Sequence, residues 1–240
     1  MTTATKPDTA QRPGRPIDLL QTQPSFFFAN LQPILLLGTV PFSFRSLVAD
    51  PVNILLALAS TTAIVQALYC VICLPSTGDT ATPITKPGQK KKTPKTQRQD
   101  IWAKVIPVFL SLTLTALLST PLLYTILILF GAPLATHHLH TLLLALHLAL
   151  LTTPHLFYVH GLDATAWLRI ASLQLPVDEV YGMSLGACVG AWLGAIPIPL
   201  DRDREWQKWP VTVVVGMYGG AIVGKLVGGY LCRGWRIHLS

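Results

Sequence analysis

The chain has 240 residues, 51% hydrophobic and only 12% charged, with a formal net charge of +7 and a mean hydropathy of +0.49. Its apolar residues come in blocks of about 18 or more, not at the period of an amphipathic helix or strand, which excludes an ordinary soluble domain and points to membrane-spanning helices. On such a chain the positive charge reflects loop bias rather than a nucleic-acid surface.

Residues 1–25 are polar and rich in Pro and Thr. They are read as a disordered cytoplasmic tail, and no apolar signal core precedes Phe26, so the first span is expected to stay as an uncleaved anchor. Six spans follow, at 26–44, 52–74, 105–130, 139–159, 180–198 and 211–231. The first is the weakest, because Asn30, Gln32, Pro33 and Pro41 interrupt it. Backbone polar groups in lipid must be satisfied internally, so the expected fold is an all-α membrane protein, a six-helix transmembrane bundle. Residues 26–74 form the first hairpin. Residues 75–100, with four prolines and the run Lys90, Lys91, Lys92, read as a disordered basic cytoplasmic loop. That loop is a topology determinant or a contact for anionic lipid. Residues 101–232 form a four-helix region, and 233–240 a second tail.

The basic residues orient the bundle. The tails and the loops after the second and fourth spans carry 13 Lys and Arg, and the opposite loops carry 4, namely Arg45, Arg202, Arg204 and Lys208. The positive-inside rule places both termini in the cytoplasm and the opposite loops in a lumen. Cys70 and Cys73 end the second span, Cys188 lies in the fifth and Cys232 ends the sixth. None is lumenal, so no disulfide is expected. A lone C-x-x-C with no second pair reads as membrane-interface residues.

The last two spans share a pattern. Gly182, Gly186, Gly190 and Gly194 recur every fourth residue, as do Gly216, Gly220, Gly224 and Gly228. Such ridges allow close backbone approach, either of the fifth helix on the sixth or of one ridge on a partner's helix. Six of the seven histidines surround the fourth span, but no acidic residue lies between Asp100 and Asp163. They are read as interfacial histidines and one buried His147 bonded to a neighbouring helix, not as a metal site. Lys225 lies within the sixth span, about two turns from its end. It is expected to snorkel to the headgroups or, as the functional alternative, to bind a lipid phosphate. All eleven Asp and Glu fall outside the spans, and no nucleophile elbow, P-loop or H-E-x-x-H is present. No catalytic residue, metal or cofactor is assigned.

Between the glycine-rich spans, Asp201, Arg202, Asp203, Arg204, Glu205 and Lys208 stand within eight positions, with Trp206 and Trp209 among them. A short turn needs less charge than this. Asp201, Asp203, Arg204, Trp206 and Trp209 are therefore candidates for a lumenal docking corner, with the indoles at headgroup level.

The stretch "GAWLGAIPIPLDRDREWQKWP", residues 190–210, resembles the signature of the PIG-F family. "ILFGAP" at 128–133 and "AWLR" at 166–169 follow the same family order. The resemblance covers about residues 100–235, and the first hundred residues match only in hydrophobic layout. Arg202 stands where the family usually has Trp, so no aromatic role is carried to that position. The resemblance implies a multi-pass endoplasmic reticulum protein of glycosylphosphatidylinositol (GPI) anchor synthesis. It further implies a partner, a large ethanolamine phosphate transferase whose lumenal domain holds the metals, while this subunit has no catalytic equipment. A lipid-handling role, delivering phosphatidylethanolamine or the glycolipid precursor, is the alternative. A polar cavity lined by His147 and Lys225 would favour that alternative.

Overall fold

The computed structural model describes residues 16–77, 101–133, 135–200 and 204–236. Among these residues every regular element is helical. Five helices are long and apolar enough to cross a membrane, and a bent pair counted as one span makes six.

Helix α1 (Gln23–Ala49) begins on a cap from the Thr22 side chain and runs through both Pro33 and Pro41. Helix α2 (Pro51–Cys73) starts one residue after α1 ends. Asp50 makes this possible, because its N–H bonds the Ser46 carbonyl while its carboxylate caps Asn53. The expected loop at 45–51 is thus reduced to a single capping residue. The tail expectation is corrected as well. Residues 16–22 are tied to the bundle by Ile17 N–H to Asp178 Oδ2, 2.8 Å, and Leu20 N–H to the Cys73 carbonyl, 2.8 Å. The rest of the expected loop and tail, 1–15, 78–100 and 237–240, lies outside the described residues.

Helix α3 (Ile101–Leu114) passes through a π-turn at Thr115–Ser119 into α4 (Thr120–Leu129). The inserted residue shifts the ladder by one, so that the Thr120 N–H bonds the Thr115 carbonyl, and the Thr120 hydroxyl adds a second donor to the same oxygen. Helices α5 (His138–Thr152) and α6 (Pro154–His160) form the bent pair, at 41°. Pro154 lacks the N–H that would continue the ladder across Thr153. Helix α7 (Ala164–Ala171) is short and lies at the surface, capped by Asp163. Hydrogen bonds from the Thr165 hydroxyl and N–H hold the Asp163 carboxyl below its ordinary range. Trp167 packs on Phe157 at 4.5 Å and bonds the Gly161 carbonyl, which folds α7 back on α6.

Helix α8 (Glu179–Ala195) is capped by Asp178, which accepts from the Val180 and Tyr181 amides. After α9 (Pro197–Leu200) and a 3₁₀ turn at Glu205–Gln207, α10 (Val211–Leu226) returns antiparallel to α8 and ends in a second π-turn, Val227–Leu231. One apolar core gathers Leu47, Leu55, Leu144, Met217 and Tyr218. A second gathers Tyr69, Cys73, Tyr158 and Val180 beside residues 16–22. Large apolar side chains such as Phe42, Leu117 and Leu129 point outward, as lipid-facing residues do.

Candidate functional site

Helices α8 and α10 meet backbone on backbone. A Cβ added at Gly182 would lie 2.9 Å from the Cα of Gly228, one at Gly186 2.7 Å from Gly224, and one at Gly190 2.8 Å from Gly220. From the other strand of the seam, Gly216 would meet the Cα of Gly194 at 2.9 Å, while Gly194 would meet the Cα of Val213 at 2.8 Å. Any side chain larger than hydrogen at these positions forces α8 and α10 apart. Both ridges therefore face each other, and what they leave outside is a shallow apolar groove of about 600 Å³. Its floor is glycine and its walls are Leu185, Val189, Leu193, Val223 and Val227.

At one end of the seam lies the charged turn. Asp201, Arg202 and Asp203 are outside the described residues. Arg204 and Trp206 are exposed, Trp206 at 43%. Glu205 pairs with Lys208, three residues on. Gln207 turns inward and donates to the Pro197 carbonyl at 3.3 Å. Trp209 is half-buried against the larger core. Of the docking candidates that are described, Arg204 and Trp206 face outward, and Trp209 helps hold the turn to the bundle.

At the other end, Lys225 departs from the sequence expectation. It is 3% exposed, with its ammonium turned into the bundle. Its ammonium lies 2.7 Å from the Ala29 carbonyl, 2.5 Å from Gln32 Oε1 and 3.0 Å from Glu179 Oε1, over the Tyr69 ring at 4.4 Å. Tyr69 donates to the same Glu179 carboxylate, and Gln32 donates to Gln66 Oε1 at 2.8 Å. An ammonium has three donors, and here all three are engaged. Pairing replaces snorkelling because Glu179, the first residue of α8, places a carboxylate inside the bundle. Sequence inspection put Glu179 just outside a span and so missed the pair. The available signal was two glutamines, Gln32 and Gln66, in apolar helices, since lipid-embedded polar groups need partners.

His147 is fully buried. Its Nε2 donates to the Leu55 carbonyl at 2.9 Å, so in the neutral ring Nδ1 accepts from the Tyr218 hydroxyl at 2.9 Å. The Tyr218 oxygen then accepts from Thr62 at 2.5 Å. The chain joins α2, α5 and α10. His155, also buried, contacts Ser184 Oγ at 2.9 Å. This looks like a nucleophile and its base, but the Ser184 proton goes to the Thr152 carbonyl at 2.8 Å. With that proton on the Thr152 carbonyl, the Nε2–H tautomer of His155 donates to Ser184 Oγ and does not act as its base. Among the described residues no three His, Cys, Asp or Glu side chains gather as a metal site.

The model of the GPI biosynthesis protein family Pig-F matches residues 31–229. The chain is 42% identical over 223 residues to glycosylphosphatidylinositol anchor biosynthesis protein 11 of Neurospora crassa, covering 92% of this chain and 80% of that one. To the protein of that name in Aspergillus fumigatus it is 38% identical over 252 residues, covering 92% and 85%. To that of Saccharomyces cerevisiae it is 38% identical over 133 residues, covering 53% and 55%. No solved structure matches the chain.

Proposed function

Since the chain belongs to the GPI biosynthesis protein family Pig-F and has a role in GPI anchor biosynthesis, we propose that it is a non-catalytic membrane subunit. In this reading it stabilises and positions an ethanolamine phosphate transferase that modifies the mannoses of the anchor precursor in the endoplasmic reticulum. The transferase carries the lumenal metal-dependent domain. Both termini of the present chain are cytoplasmic, and the turn at 199–210 is lumenal.

The observation that carries this reading is the division between inside and outside. The side chains with chemical potential, Lys225, Glu179, His147, His155 and Ser184, hold helices together within the bundle. The outward features are an apolar groove along α8 and α10 and a turn bearing Trp206 and Arg204. An apolar groove between helices suits another helix, and Trp with Arg suits the anchor of an interface. A polar cavity lined by His147 and Lys225 would favour the lipid-delivery reading. Both are instead engaged by neighbouring helices.

The test is a pull-down of the transferase, normalised to subunit abundance. Trp206→Ala is expected to leave the subunit abundant while the complex is lost. Full retention of the complex removes the docking role and leaves the charged turn as helix capping. Asp203→Ala separates the same two cases at the neighbouring carboxylate.

A further inference from the structure

Helix α1 contains a defect that another helix repairs. Pro33 has no N–H, so the carbonyl of Ala29, four residues earlier, loses its helical donor. In lipid no water can replace that donor. Lys225 of α10 does, with Nζ 2.7 Å from the Ala29 oxygen. The same ammonium holds Gln32 of α1 and is neutralised by Glu179 of α8. One cation thus joins three helices at a point where α1 needs a donor. Further ties reach the chain just before α1. Asp178 accepts the Ile17 amide, and Arg233 pairs with Asp18 at 2.5 Å.

We propose that Lys225, Glu179 and the carbonyl freed by Pro33 form a latch that docks α1 against the α8–α10 pair. Without the cation, α1 retains an unsatisfied carbonyl and α8 loses its charge partner, so nothing polar holds α1 to the α8–α10 pair at this point. The latch is a conformational device. Closed, α1 covers the cytoplasmic end of the bundle. Open, it exposes the wall of α2 that carries Tyr69 and Cys73. Cys73 reports on this directly, since it is fully buried and its Sγ lies 3.6 Å from the Ser25 carbonyl of α1.

The experiment measures modification of Cys73 by a water-soluble maleimide in the full chain, reconstituted in nanodiscs, with Cys70→Ala, Cys188→Ala and Cys232→Ser removing the other thiols. Lys225→Met is expected to raise the rate by roughly tenfold or more, the scale of one lost charge-assisted hydrogen bond. Pro33→Ala alone is expected to stay near the parent rate. Combining the two returns an N–H to Ala29 and is expected to recover part of the protection. A parent rate in Lys225→Met, or no recovery in the combined variant, overturns the latch. If Lys225→Met fails to accumulate, abundance becomes the readout. Rescue of abundance by Pro33→Ala then supports the latch, and failure to rescue overturns it.

Discussion

At the scale of single residues, buried polar groups decide which helices meet. Tyr218 gives its proton to His147 and takes one from Thr62. Tyr218→Phe leaves both partners unsatisfied in a dry interior, and is expected to destabilise the bundle by about 1–3 kcal/mol. A thermal unfolding series in detergent measures this, and an unchanged midpoint would remove the network from the account. Leu173 is the opposite case. It sits at φ 59°, where a side chain is strained, and its neighbours make the bonds of a helix C-cap after α7. Leu173→Gly is expected to be neutral or stabilising by up to ~1 kcal/mol, by the same assay. Little of this was legible in the sequence. The sequence predicts a buried His147 bonded to a neighbouring helix. The partners of Lys225 were not foreseen, because they lie 46 to 196 positions away. Neither propensity nor period carries information at that range. Pro33 and Gln32 were visible but were counted against the first span. In the structure Gln32 and the Ala29 carbonyl freed by Pro33 are the two places where α10 takes hold of it.

At the scale of elements, the four-residue glycine spacing was legible, since the same period marks a helix face. The pairing of the two ridges with each other was one of two options, and only coordinates choose between them. The breaks were less legible. Pro154 stands at the bend of the fourth span, which the sequence reading treats as unbroken, and the π-turn at Thr115–Ser119 has no local signature comparable to a proline. The seam makes a sharp contrast among glycines. Gly186→Ala places a Cβ 2.7 Å from a backbone atom of the facing helix, whereas nothing lies within 4 Å of a Cβ at Gly219. Gly186→Ala is expected to lower the thermal midpoint or the yield. Gly219→Ala is expected to be tolerated, or to add up to about 1 kcal/mol through helix propensity. Equal behaviour of the two variants would show that α8 and α10 are not in backbone contact.

At the scale of the whole molecule, the bundle needs an orientation before its groove and turn can have a partner. The 13-to-4 asymmetry of basic residues motivates a glycosylation map. An acceptor site introduced at position 202 is expected to be modified in the endoplasmic reticulum, and one at position 90 is expected to stay unmodified. The reverse pattern would invert the proposed topology and place the charged turn in the cytoplasm. The helical class and approximate spans were readable from hydropathy because lipid imposes them. The one-residue connection at Asp50 and the attachment of residues 16–22 were not, because each depends on a cap or a distant acceptor rather than on composition.

The glycine seam has one more consequence. A ruler with equal marks can be read at several settings. Sliding α10 along α8 by four residues, about 6 Å at the helical rise, would again set glycine against glycine over most of the length. Intermediate slides would drive side chains into backbone and are blocked. The seam therefore permits discrete positions without choosing among them. The choice is made beyond its marks, where Thr212 faces Gly194 and where Lys225 meets Glu179 and Ala29. The ion pair acts as the pointer on the scale. A chain that kept every glycine but lost that pointer would stay closely packed while its charged turn came to rest one helical turn out of place.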